Sequence, residues 1–275
     1  MATRMSQLLW NAVGDLRVHP VRKWIRANVA THTVVDTRRA RLVWEPRRVV
    51  GSYAVPEEDI AGDLVVAERA AEPERPVSME DGPPVLDPRT PFGAHTTSGT
   101  ALTIRTAGDE LPGAAFRPDD PDLAGYVILD WDAFTQWYEE DEPVMGHPHD
   151  PFDRIDCLRS SRSIQVAHNG VALADTSRAT LLFETPLPPR FYIPREDVAM
   201  ELLEPSESHT VCAYKGRASY WSARVGDATL PDIAWSYEEP LHDAAPVRGL
   251  IAFYTERLDL TIDGEAQARP HTPWS

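Results

Sequence analysis

Cysteine is nearly absent: the 275-residue chain contains two, Cys157 and Cys212. Two thiols cannot build a disulfide framework or a four-cysteine zinc site, and their rarity suits a reducing cytoplasm. Glycine is also scarce, 15 residues against 25 prolines, which inverts the usual order. Proline at that density argues against long helices. No apolar run approaches the ~18 residues of a membrane-spanning helix, so no membrane partner is expected. Near the start, Asp15 interrupts the apolar set Leu8, Leu9, Trp10 and Val13, and no small-residue cleavage site follows. The expectation for residues 1–23 is a short amphipathic helix rather than a signal peptide, with a strand over 23–29. Basic charge is in deficit, 27 Lys and Arg against 43 Asp and Glu, a net charge of -16. Such a field repels phosphate backbones, so no nucleic-acid partner is expected. With 42% apolar and 25% charged residues the chain has an ordinary globular composition, long enough for one large or two small domains.

What is present is a chain that resembles itself. Asp36-Thr37-Arg38-Arg39-Ala40-Arg41-Leu42-Val43-Trp44-Glu45 aligns without a gap on Asp175-Thr176-Ser177-Arg178-Ala179-Thr180-Leu181-Leu182-Phe183-Glu184, at an offset of 139 residues. Further blocks follow in the same order: Val55 to Ile60 on Ile193 to Val198, Ser98 to Ala101 on Lys215 to Ala218, Gly108-Asp109 on Gly226-Asp227, and Asp119 to Pro121 on Glu238 to Pro240. Ordered blocks of this kind mark an internal repeat. The reading is two homologous domains, 24–142 and 163–265, joined by a linker over 143–162 and followed by a tail over 266–275. Between Leu64 and His95 the first copy carries 30 residues, where the second has 9 between Leu202 and Cys212. This Pro-rich insert, 65–94, is expected to run over the surface as a mobile loop outside both cores.

Strand signals dominate. Asn169-Gly170 accepts the positive φ angles of a two-residue hairpin turn between 163–168 and 171–176. Gly226-Asp227 separates the alternating stretches 220–225 and 228–235. Gly249 to Tyr254 reads as a buried strand, and Leu258, Leu260 and Ile262 alternate with polar residues in a half-exposed one. Pro194 to Asp197 suits the opening of one helical turn. The fold class is mainly β, with few short helices.

Four blocks carry a resemblance: Phe191 to Val198, Cys212-Ala213-Tyr214-Lys215-Gly216-Arg217-Ala218-Ser219-Tyr220-Trp221, Ala234-Trp235-Ser236-Tyr237, and Gly249 to Tyr254. On these the chain resembles a tandem member of domain-of-unknown-function family 427, a bacterial family also filed under a nucleotidyltransferase-like name. The resemblance implies tent-like domains in which two antiparallel sheets lean together over a pocket, here two in tandem and pseudo-twofold related. It implies no settled activity. No glycine-rich phosphate loop or carboxylate pair at metal-ligand spacing supports nucleotidyl transfer. The paired Cys-x-x-Cys zinc motifs of tent-like relatives are missing, so no metal or other cofactor is expected.

Candidate chemistry gathers in the second copy. Cys212 and Lys215 form the catalytic candidates, because a nearby ammonium stabilises a thiolate. Gly216 lets backbone approach a ligand closely. Tyr192, Tyr214, Trp221, Trp235 and Tyr237 are candidate ligand-binding rings, the last two on one face of a strand, with Arg195 as a polar contact. Rings of this size also build cores, Glu196 and Asp197 also suit a helix start, and His147-Pro148-His149-Asp150 lies on a proline-bearing linker that does not preorganise a metal site. In the first copy His95 stands opposite Cys212, Ser98 opposite Lys215 and Ile104 opposite Trp221. One competent site is therefore expected, in the second copy. The favoured function is a cytoplasmic small-molecule binding protein with an aromatic-lined pocket. The alternatives are a cysteine-dependent enzyme or redox protein using Cys212 with Lys215, and a structural or interaction protein.

Overall fold

Alternation of apolar and polar residues makes strands of nearly every ordered segment in the computed structural model, which describes residues 2–68, 72–78, 82–185 and 187–275. By internal contacts the chain divides into two units, Met1–Asp150 and Pro151–Ser275. Among the described residues the one α-helix is Met5–Ala12, and the remaining helical elements are short 3-10 turns. Among the described residues no helix is long and apolar enough to cross a membrane.

In the first unit an antiparallel sheet runs in the order Arg17–Pro20, Arg41–Trp44, Ser52–Pro56, Tyr126–Leu129, Glu110–Pro118, Gly99–Arg105, Asp63–Val66. A smaller sheet orders Glu142–Val144, Gln136–Glu139, Ile25–Val29, His32–Thr37. Inward residues of both, among them Ile25, Val35, Leu42, Tyr53, Leu102, Val127 and Trp137, form one core. Each strand offers only a few apolar side chains, so two sheets must share them to exclude water.

The second unit orders its strands the same way. Ile155–Arg159, Thr180–Glu184 and Leu187–Tyr192 pair in sequence. An Ile193 to Ile251 bridge, with N···O distances of 2.8 and 2.9 Å, leads on to Ile251–Phe253, Ala228–Ser236, Gly216–Val225 and Leu203–Cys212. Opposite lie Val171–Thr176, Ile164–His168, Asp259–Ile262 and Glu265–Ala266. Asn169 and Gly170 have φ of 49° and 81°, and His168 pairs with Val171 across them. The core holds Ile164, Leu173, Leu182, Tyr192, Ile193, Ala234, Ile251 and Leu258. One polar device recurs. Thr37 donates to Asp59 (2.6 Å), which pairs with Arg39, and Thr176 donates to Asp197 (2.6 Å), which pairs with Arg178. The acids of the expected helical turn 194–197 thus hold a 3-10 turn, Arg195–Asp197, against the neighbouring hairpin.

Three expectations need correction. The insert does not lie wholly outside the core, since Val85 and Leu86 are each 1% exposed. The guanidinium of Arg48 donates to the carbonyls of Thr90, Pro91 and Ala94 (3.3, 2.7 and 3.1 Å), so buried polar satisfaction docks a segment whose composition reads as loop. Residues 69–71 and 79–81 of that insert lie outside the described residues. The linker reading gives way to strands at Glu142–Val144, which forms a tight hairpin with Gln136–Glu139, and at Ile155–Arg159, whose partner Thr180–Glu184 is distant in sequence. The tail reading gives way at Thr272, buried because its Oγ1 donates to Glu256 (2.6 Å).

Glu139 ties the first unit together, accepting hydrogen bonds from Tyr53 Oη (2.6 Å) and His149 N (3.1 Å), with Lys23 and the His149 ring against its other oxygen. Burial alone would raise its pKa, but hydrogen bonds from His149, Lys23 and Tyr53 outweigh it and hold the carboxyl at about 2. A carboxylate depressed from an ordinary value near 4.5 contributes stability that is complete above that value and is lost as pH falls through about 2. Linkage puts the loss at about 3 kcal/mol. Amide exchange of the Gln136–Glu139 strand should therefore lose protection between about pH 4.5 and 2 in the natural protein. In Glu139→Gln that part of the pH dependence should vanish.

Candidate functional site

The hairpin joining Leu203–Cys212 to Gly216–Val225 carries the densest chemistry of the second unit. Its tip is Ala213-Tyr214-Lys215, with Cys212 paired to Gly216. Gly216 has φ of +94°, and a Cβ there would sit 3.4 Å from Glu239 O and Leu241 N. The close approach expected at this glycine is thus made by the chain's own 239–241 segment, where Leu241 N donates to Lys215 O (3.2 Å).

The Lys215 ammonium turns inward onto the carboxylate of Glu184, and each side chain is 12% exposed. Burial would lower the lysine pKa, but the facing carboxylate outweighs it and raises it above the ordinary range. Cys212 and Tyr192 lie close enough to add to that effect. The partner that the hairpin tip gives Lys215 is thus Glu184. The charge of the lysine is neutralised by Glu184, which removes the net positive field that thiol activation needs. Cys157 sits nearby with its pKa raised by burial and by Asp156, and its Sγ is 3.8 Å from Asp243 O.

From this ion pair a run of rings leads outward. Tyr192 and Tyr237 lie 6.4 Å apart, Tyr192 and Trp235 6.3 Å, Trp235 and Tyr254 4.5 Å, and Tyr254 and Trp274 6.3 Å. Trp235 Nε1 donates to Tyr192 Oη (3.1 Å). Burial pushes the Tyr192, Tyr237 and Tyr254 hydroxyls well up, so these phenols stay protonated. Tyr192 is 1% exposed and Trp274 41%, so the run connects interior to surface. Within it Arg190 forms a bidentate pair with Glu256 (2.8 and 2.6 Å) and lies 5.5 to 5.8 Å from the centroids of Trp235, Tyr254 and Trp274. That corner is filled by the protein's own planar cation.

The other expected contacts are partly committed elsewhere. Arg195 donates to Gly249 O (3.0 Å), pairs with Glu238 and lies 5.1 Å from the Trp221 ring centroid. Half-buried Trp221 donates through Nε1 to Ser236 Oγ (3.2 Å). Tyr214 is buried, with Arg154 5.8 Å from its ring centroid. The residues missing from the sequence reading are Glu184, Arg190, Tyr254, Glu256 and Trp274. Glu184 had a signal, since it closes the longest repeated block opposite Glu45.

Glu45 makes the comparison informative. In the first unit it meets His95 Nδ1 (3.0 Å) and the backbone N–H groups of Thr96 and Thr97 (2.9 and 3.3 Å), just before Gly99–Arg105. His95 in turn stacks on Phe116, with centroids 3.6 Å apart. Among the described residues no group of three or more His, Cys, Asp or Glu side chains is arranged to hold a metal. An open pocket of about 540 Å³ lies in the first unit, and none of the rings named above for the second unit lines it.

Residues 156–264 match the family described as "Domain of unknown function (DUF427)". A DUF427-family domain thus covers the second unit's hairpin, its ion pair and most of its rings. No curated protein matches the chain. Residues 1–155 and Trp274 fall outside the match.

Breaking one half of a buried ion pair leaves an uncompensated charge, at a cost of about 3 to 5 kcal/mol. Lys215→Met should destabilise the DUF427 domain by that order in urea unfolding. Adding Glu184→Gln should recover a large part of the loss, since the neutral amide needs no counter-charge.

Proposed function

We propose that the DUF427 domain is a small-molecule binding module whose ligand packs a planar group on the aromatic run and presents a polar group to Lys215 and Glu184. The observation that carries this reading is the unbroken sequence of rings from exposed Trp274 to Tyr192 beside that ion pair. Apolar walls with a few fixed polar groups are the usual make-up of such sites. Arg190 among three rings supports the affinity of this wall for a planar cationic group. In this proposal Tyr192, Trp235 and Tyr237 supply the wall, Tyr214 and Gly216 shape the hairpin tip, and Trp221 with Arg195 forms the outer rim. The pairing of two tent-like units as pseudo-twofold tandem copies, and a cytoplasmic setting, belong to the same proposal. The cysteine-dependent alternative is weakened by the neutralisation of Lys215, and the interaction-protein reading has only the acidic composition behind it.

A thermal-shift screen of planar cationic and aromatic molecules on the full chain tests the proposal. A ligand at ~100 times its Kd adds ~2.7 kcal/mol to stability. Trp221→Ala and Trp274→Ala, at half-buried and exposed rings, should each weaken binding by about 10-fold or more while the unliganded protein stays folded. A binder that ignores both substitutions, or a library without binders, would remove the reading.

A further inference from the structure

The open pocket of the first unit is lined by Arg22, Lys23, Arg38, Arg39 and Arg41, with Trp24, Tyr126 and the single acid Glu140. Five cations around one cavity run against a chain whose net charge is -16. Their surroundings divide them into two groups. Lys23 is neutralised by Glu139, and Arg39 by Asp59 and Glu58 (2.6 and 3.1 Å). Arg41 meets only a neutral carbonyl, that of Asp122, and Arg22 and Arg38 have no carboxylate partner among the described residues. The acids nearby make their hydrogen bonds elsewhere: Asp141 pairs with Arg26 (2.9 Å), while Glu140 and Asp36 accept from the neutral Trp24 N (2.9 Å) and Trp24 Nε1 (2.6 Å) and keep their charge.

Rings hold two of the three unpaired guanidinium groups in place. Arg38 lies 4.7 Å from the Trp24 centroid and Arg41 4.2 Å from that of Tyr126. Tyr126 is itself tethered by its hydroxyl, which donates to Arg39 O (3.1 Å). Stacked arginines retain their planar donor forks for a bidentate acceptor and lose less freedom on binding one.

The second unit serves as a control. Ile25 pairs with Thr37 as Ile164 pairs with Thr176, and Val21 N donates to Ala40 O as Ser160 N does to Ala179 O. By that register Arg22, Trp24, Arg38 and Arg41 correspond to Ser161, Ser163, Ser177 and Thr180. The two cations that are paired with carboxylates are kept, Arg39 as Arg178 with the same threonine and aspartate, and Lys23 as Arg162, which pairs with Asp263. The fold needs the cations that both units have and does without the other three. We infer that the cavity lined by Arg22, Arg38 and Arg41 is a binding site for a small polyanion bearing two or more phosphate or carboxylate groups. Its volume suits a ligand of metabolite size. The site shares no residue with the aromatic run and does not rest on the function proposed for the DUF427 domain.

Calorimetric titration of the full chain with pyrophosphate and with citrate tests the inference. The expected result is one equivalent of at least one probe bound below about 1 mM, weakening as salt rises. Binding of pyrophosphate alone assigns a phosphate ligand, and binding of citrate alone a carboxylate one. The variant carrying Arg22→Ser, Arg38→Ser and Arg41→Thr should weaken binding by about 100-fold or more, given the strength of charge-assisted hydrogen bonds. Arg22→Glu alone, at an exposed residue that the fold does not use, should weaken it by about 10-fold or more. A control with the same charge change in the second unit, Arg159→Ser, Arg217→Ser and Arg224→Ser, should stay within about twofold of the natural protein. The inference is overturned if neither probe binds, if the pocket variants bind as the natural protein does, or if the control weakens binding as much as they do.

Discussion

A carboxylate at the end of a core strand must find a donor, and much of each unit is arranged around that requirement. Glu45 follows Arg41–Trp44 and Glu184 ends Thr180–Glu184; Glu184 meets the tip of the 203–225 hairpin, and Glu45 meets the backbone just before Gly99–Arg105. In the second unit the donor is Lys215, which brings the hairpin tip inward, places Gly216 in a conformation that favours glycine and sets Tyr192 and Cys212 beside the pair. In the first unit the donors are His95 and two backbone N–H groups, and the hairpin starts without a buried lysine. Buried charge is costly unless it is met, so each unit supplies its own donors to the same carboxylate position.

The two units apply one strand order to different chemistry. Where the second places rings between an ion pair and the surface, the first buries Tyr53 against Glu139 and stacks Trp131 on Trp137. Its uncommitted charge lies instead at the turns before Ile25 and Arg41, where side chains can change without disturbing a core. The Thr–Asp–Arg device shared by both units marks what the fold requires. The residues around it are left to vary, and there the aromatic run and the arginine-lined cavity differ.

Much of the architecture was legible along the chain because its causes are local. The Asn169-Gly170 turn, the Gly226-Asp227 turn and the alternation through 258–262 depend on φ preferences and on one-sided burial, and neighbouring residues record both. The docking of 85–94 was not legible. Its burial comes from Arg48, roughly forty residues away, which gathers carbonyl oxygens that composition cannot reveal. Ile155–Arg159 escaped for the same reason, since a strand completed by a distant partner carries little pattern of its own.

The candidate site divides along the same line. From the residues alone came the candidacy of Cys212 and Lys215, the shared face of Trp235 and Tyr237, and the absence of a lysine opposite position 215 in the first copy. Their partners are a different matter, because a charge or a ring acquires its role from whatever lies across the fold. Glu184 neutralising Lys215, Arg190 filling the corner of Trp235, Tyr254 and Trp274, and three arginines left without carboxylates around one cavity depend on distances between segments far apart in sequence. The sequence by itself determined the strands, their turns and the residues able to do chemistry. The tertiary structure decided which of those residues are neutralised by a neighbour and which remain available to a ligand, because electrostatic and packing energies depend on distance through space rather than along the chain.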